Sequence, residues 1–238
     1  MIKENHFDNQ TQMFDALARE CQSTLTQAIS ERSRASSIVS GGRTPIALFE
    51  RMVAAELPWG KIDMALVDER WVPASHERSN EKLVQDYLFS ALDAGKLEKP
   101  NFTGLYHATK TAQESVAKCE SDYQKIAHPF DITLLGMGPD GHTASLFPYA
   151  QGLDVALESK SLTTSIIARP SEVTGDELER MTLTRHGIVQ SRKVILALTG
   201  SDKLEVLKKA LDGDDIEAMP VRSILLQDQV DIHVYWAP

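Results

Sequence analysis

Short runs with strand character recur at Ser36–Ser40, Ile62–Val67, Asp131–Leu135, Ser165–Ala168, Val194–Leu198 and Asp231–Tyr235, with longer segments of helical periodicity between most of them. Strands separated by helices pair most readily in parallel, because each crossover helix carries the chain back along one face of the sheet. The pattern therefore predicts an α/β fold, a mainly parallel sheet of Rossmann-like type with helices on both faces. At 238 residues the chain exceeds the commonest domain size but suits a single α/β domain spanning 1–238 with one large core.

The helical segments carry local signals. Phe14, Leu17, Ala18, Cys21, Leu25 and Ala28 form one apolar stripe, and Leu83, Val84, Tyr87, Leu88 and Ala91 form another. Thr111 with Glu114 fits a capping box ahead of Val116, Cys119, Tyr123 and Ile126, while Thr44-Pro45 offers an N-cap and a proline at the first helical position. Cys21 and Cys119 lie on these stripes and make neither a metal set nor a disulfide framework, so both are expected as buried free thiols. Ala150–Glu179 is less periodic and is expected to hold a hairpin or a lid.

Composition removes some function classes. No run approaches the ~18 apolar residues of a membrane span, so no membrane role is expected. Met1-Ile2-Lys3-Glu4-Asn5-His6-Phe7-Asp8 lacks the basic and apolar segments of a signal peptide, which places the protein in the cytoplasm as an expectation. A formal charge of −9 without a basic stripe argues against nucleic-acid binding. It still allows a small anionic substrate where a few basic residues converge.

Polar clusters sit where the strands are expected to end. Ser40-Gly41-Gly42-Arg43-Thr44-Pro45 passes from a strand through two glycines into a helix whose free N–H groups favour an anion. A plain strand-to-helix turn reads equally well, and the Lys-Ser/Thr ending of a P-loop is absent. Asp68-Glu69-Arg70-Trp71-Val72-Pro73 follows Met64-Ala65-Leu66-Val67, with Ser79-Asn80 opening the next helix. Arg70 could fork onto a phosphate, or Asp68 and Arg70 could pair with each other. Leu198-Thr199-Gly200-Ser201-Asp202-Lys203 puts a cation in a first helical turn, where it opposes the helix dipole unless an anion is near.

The remaining cluster runs from Leu134 to Pro148 and sets Asp140 and His142 among Gly136, Gly138 and Gly141. Its G-x-G-x-x-G spacing invites a dinucleotide reading, but Pro148 stops any helix there, and the nearest downstream acids, Asp154 and Glu158, do not end an apolar strand. A titratable imidazole in a glycine loop suits an active site instead; a histidine that only caps a turn is the structural alternative. In a parallel sheet, ligands bind beyond the carboxyl ends of the strands, where all these clusters are expected to meet.

Taken in order, Ser40–Pro45, Asp68–Pro73, Ser79-Asn80 and Gly136–Pro148, with Arg180-Met181-Thr182-Leu183-Thr184 and Gly200–Lys203, resemble the signature set of the 6-phosphogluconolactonases. The resemblance implies hydrolysis of 6-phosphoglucono-δ-lactone to 6-phosphogluconate, within the oxidative pentose phosphate pathway, with no cofactor and no metal. It implies His142 as general base with Asp140 orienting it, and Gly41, Gly42, Arg43, Thr44, Arg70, Asn80, Arg180 and Lys203 around the substrate and its phosphate. A monomer is expected. Arg169–Glu179 departs from the family, whose approach to Met181 is expected to be shorter and richer in proline.

Two rivals share the implied fold. A glucosamine-6-phosphate deaminase or isomerase would continue its histidine loop toward an Asn-Glu-Pro-type segment, whereas Thr143-Ala144-Ser145-Leu146-Phe147-Pro148 stands here. A non-catalytic sugar-phosphate sensor would call for a basic helix-turn-helix, which the sequence before the first run lacks. A serine esterase is disfavoured because Gly-x-Ser-x-Gly is absent.

Overall fold

The computed structural model describes residues 1–42, 44–55 and 57–238. Its strands are β1 (Ile2–His6), β2 (Ala35–Val39), β3 (Ile62–Leu66), β4 (Asp68–Arg70), β5 (Asn101–Thr103), β6 (Ile132–Leu135), β7 (Thr163–Ile167), β8 (Glu179–Leu183), β9 (Val194–Thr199) and β10 (Ile232–Ala237). The helices are α1 (Gln10–Arg32), α2 (Thr44–Ala54), α3 (Asn80–Val84), α4 (Ser90–Ala94), α5 (Ala112–Tyr123), α6 (Leu153–Glu158), α7 (Arg185–Val189), α8 (Ser201–Leu211) and α9 (Arg222–Leu225).

Seven strands form one sheet in the order β1-β10-β9-β6-β2-β3-β5, and every pairing in it is parallel. All residues of β2 and β6 are buried. Side chains alternate between the two faces of a strand, so burial of every one requires cover on both faces, as the alternating pattern predicts. Chain order runs outward from β2 through β3 to β5, then returns to the other side of β2 with β6, β9 and β10. The sheet thus reverses direction of growth between β2 and β6, and the loops leaving those two strands diverge to open a crevice.

A smaller antiparallel sheet, β4-β8-β7, stands at the end of β3. The predicted strand at Ser165–Ala168 belongs here, as β7, and not to the parallel sheet. Its hairpin with β8 accounts for the weak periodicity of that region, since the long connection between them is irregular. Val67 joins the two sheets: its N–H donates to Val39 O at 2.8 Å, and its carbonyl accepts from Leu183 N at 2.7 Å.

Local signals held with a few corrections. The α1 stripe is buried as expected, with Met13 added to it. Tyr87, however, is 47% exposed. A π-helical turn at Gln85–Phe89 joins α3 to α4, and its wider turn aligns residues four apart, so Val84, Leu88 and Leu92 face the core and Tyr87 turns outward. Thr111 caps α5 by accepting from Glu114 N at 3.4 Å, but the Glu114 carboxylate takes Lys110 N and not that of Thr111, so the box is half formed. Helix α2 already includes Thr44, so the residue expected as its N-cap lies within the helix. Cys21 and Cys119 are free and buried, and burial pushes both thiols up to about 12.

Candidate active site

A cavity of about 310 Å³ opens at the carboxyl ends of β2, β3, β6 and β9. It lies at the reversal between β2 and β6, where open α/β sheets hold their ligands. Gly41, Gly42 and Thr44 line it from the loop after β2, and Asp68, Arg70 and Asn80 from β4 and the start of α3. Gly136, Met137, Gly138, His142 and Ala144 line it from the loop after β6, and Thr199 and Lys203 from the end of β9 and the first turn of α8. The clusters separated in the sequence therefore meet in one place. Arg43 lies outside the described residues.

The glycine loop is built around an ion-pair geometry. His142 Nδ1 and Asp140 Oδ1 are 2.6 Å apart, and the same oxygen accepts from His142 N at 3.2 Å. Burial opposes ionisation of Asp140, but hydrogen bonding and charge from His142 outweigh it and hold the carboxyl below its ordinary range. With Nδ1 committed to Asp140, Nε2 is free of hydrogen bonds among the described residues, so it is the nitrogen available to substrate. Gly138 makes this possible: a Cβ there would fall 2.0 Å from His142 Nδ1 and 2.5 Å from Asp140 Oδ1.

On the opposite wall, Asn80 organises the charged residues. Its Nδ2 donates to Asp68 O at 2.7 Å, and its Oδ1 accepts from Arg70 Nη1 at 2.6 Å; Arg78 O accepts from the same Nη1 at 3.0 Å. Gly41 packs so closely on the Asn80 amide that a Cβ would lie 1.8 Å from Oδ1. Asp68 and Arg70 do not pair with each other; Asp68 Oδ2 accepts instead from Ser145 Oγ at 2.6 Å, tying β4 to the glycine loop.

Glu69, fully buried, points away from the cavity and accepts from Arg70 N, Asn80 N, Ser79 Oγ and Glu81 N, all within 2.9 Å. It fixes the start of α3. Burial drives its carboxyl up to about 7 against the pull of those donors.

Lys203 Nζ donates to Met137 O at 2.6 Å, which brings a cation from α8 to the rim of the glycine loop. Burial lowers its ammonium below the ordinary lysine range, while Asp140 and Asp202 resist. Arg180 is placed differently from expectation. It is not part of the cavity wall but is 2% exposed, with Nη2 donating to Thr174 O at 3.0 Å. Burial brings its guanidinium down to about 10, with Arg70 as the next contributor. Two residues of the sequence clusters had no role assigned to them and find one here: Asp68 in the cavity wall and Phe147 beneath His142. The position of Asp68 directly after the β3 run was the available signal for the first.

Residues 8–236 match the family of glucosamine-6-phosphate isomerases and 6-phosphogluconolactonase. The chain belongs to that family. It is 38% identical over 232 residues to a 6-phosphogluconolactonase of Rhizobium meliloti, covering 98% of this chain and 97% of that one. A 6-phosphogluconolactonase of Caulobacter vibrioides is 36% identical over 240 residues, covering 99% and 97%. The crystal structure of a 6-phosphogluconolactonase from Shewanella baltica superposes with a TM-score of 0.91 at 33% identity, over 100% of this chain and 98% of that one. A monomeric glucosamine-6-phosphate deaminase shares the fold, with a TM-score of 0.78 at 17% identity over 98% and 96% of the two chains. Family and fold thus agree with the resemblance in the sequence. No helix among the described residues is long and apolar enough to cross a membrane.

Proposed function

We propose that this chain is a 6-phosphogluconolactonase that hydrolyses 6-phosphoglucono-δ-lactone to 6-phosphogluconate. The observation that carries the reading is the 2.6 Å His142–Asp140 pair in the wall of a cavity that also presents Arg70 and Lys203. Asp140 accepts a hydrogen bond from Nδ1–H, which leaves the Nε2 lone pair as the base. Nε2 removes a proton from water as its oxygen attacks the lactone carbonyl. The ring C–O bond then breaks, and the proton passes from the imidazolium to the departing ring oxygen, giving a free carboxylic acid and a new hydroxyl.

The phosphate lies between Arg70, Lys203 and the N–H groups of the loop after β2, with Thr44 beside it. Asn80 holds Arg70 at that station. These cations meet a dianion locally inside a chain of formal charge −9. Phosphate affinity is the same for substrate and product, so it supplies binding and orientation, while His142 supplies the rate. The reaction needs only water as second reactant. A monomer is the working unit of this reading, and the two free buried thiols suit the reducing cytoplasm.

The test is hydrolysis of freshly generated lactone, corrected for the spontaneous reaction, with wild type beside His142→Ala. The variant is expected to lose about 10²–10⁴-fold in kcat and to keep its affinity for 6-phosphogluconate. Turnover equal to wild type removes His142 from the mechanism. Ammonia release from glucosamine-6-phosphate faster than lactone turnover replaces the reading with a deaminase.

A further inference from the structure

Arg70 and Lys203 line the cavity, whereas Arg180 does not. Its guanidinium donates to the carbonyls of Thr174 and Glu179, at 3.0 and 3.3 Å, and lies over the ring of Phe147 with its central carbon 5.8 Å from the centroid. Phe147 is itself buried and carries the imidazole of His142, the two ring centroids 4.3 Å apart and the planes inclined by 36°. In this place Arg180 is 2% exposed.

The hydrogen bond to Asp140 fixes where His142 Nδ1 sits but leaves the imidazole free to tilt about that bond. A flat ring packed against it removes the tilt, and a cation on that aromatic ring resists its displacement. We propose that Phe147 and Arg180 are positioning residues that hold the plane of the His142 imidazole, with Arg180 anchored through the Thr174 carbonyl. The role ascribed to the imidazole rests on the general-base reading above. The geometry also gives the segment Arg169–Glu179 a purpose: it brings the Thr174 carbonyl to both Arg180 and Arg78, whose own carbonyl holds Arg70.

The experiment compares wild type with Phe147→Leu, Phe147→Tyr and Arg180→Met, the last keeping bulk without charge. For each, kcat and KM on the lactone are measured with 6-phosphogluconate affinity by calorimetry. The Nδ1–H resonance of His142 is followed in histidine labelled with nitrogen-15. Phe147→Leu and Arg180→Met are expected to lose about 10- to 100-fold in kcat with KM and product affinity within about twofold, and to lose the Nδ1–H resonance to exchange. Phe147→Tyr is expected to restore both.

Weakened product binding with kcat retained in Arg180→Met would make Arg180 a phosphate contact and overturn the proposal. So would an Nδ1–H resonance that persists in Phe147→Leu, a result that decides the matter even where Arg180→Met does not fold. The resonance requires no substrate, so failure of wild type to turn over the lactone would sink the reaction assigned to His142 and leave the positioning to be judged by the spectrum.

Discussion

Asn80 Oδ1 accepts a 2.6 Å hydrogen bond from Arg70 Nη1, and through its amide nitrogen Asn80 also holds the backbone carbonyl of Asp68. One side chain therefore sets both the cation and the carboxylate on that wall of the cavity. Asn80→Ala would remove a donor from the half-buried Asp68 carbonyl and free Arg70 to move. KM for the lactone is expected to rise about tenfold or more with a smaller change in kcat, and stability to fall by about 1–3 kcal/mol. Unchanged KM in a folded variant would show that Arg70 does not depend on Asn80.

Lys203 tests the phosphate assignment from the other side of the cavity. Lys203→Met keeps the length of the side chain and removes its charge. Affinity for 6-phosphogluconate is expected to fall, and its dependence on added salt to flatten, because screening acts on the charge that is lost. Calorimetric titration at two salt concentrations reads both effects. Equal affinity in the two proteins places the phosphate elsewhere.

Gly138 and Gly136 make a paired test two residues apart. A methyl group at Gly138 would collide with His142 Nδ1 and Asp140 Oδ1, whereas one at Gly136 would meet nothing within 4 Å. Gly138→Ala is expected to lower kcat by at least tenfold by pushing the imidazole off its carboxylate. Gly136→Ala should melt as the wild type does. Full activity in Gly138→Ala would mean that the close His142–Asp140 approach is dispensable.

The same pair gives stability a pH dependence of known sign. Asp140 is held below its ordinary value of 3.8 in the folded chain. The unfolded chain therefore takes up the proton first as pH falls, and the contribution is present above the ordinary value and lost as pH drops through the folded one. Relative to Asp140→Asn, wild type should hold its full advantage in denaturant midpoint at about pH 6 and lose part of it by about pH 3. A difference between the two proteins that does not vary over that range would contradict the linkage.

The parallel sheet was legible because its strands are short runs of strand character separated by helix-period segments, with the central ones buried on both faces. Strand β1 was not, since Ile2-Lys3-Glu4-Asn5-His6 is an edge strand and only Ile2 and Asn5 are even half-buried. Asp68–Arg70 read as a charged loop because its extended form comes from pairing with Glu179–Leu183, a partner more than a hundred residues away. The glycine loop and the Asp68–Arg70 and Ser79-Asn80 clusters were found from residue type and position after strands. Arg180 was expected at the phosphate from the resemblance, and its packing against an aromatic ring and two carbonyls was not legible because those partners are brought to it by the fold.

Val67 is one residue with two allegiances, its N–H stitched to Val39 in the large sheet and its carbonyl to Leu183 in the small one. Arg70 stands three residues beyond it on β4, so the small sheet is an arm that leaves the large sheet at this residue and carries a cavity-lining charge. A substitution far out on β7 that tilts this arm would shift Arg70 against the glycine loop without touching the cavity. Loss of substrate affinity in such a distant variant would be mechanical in origin.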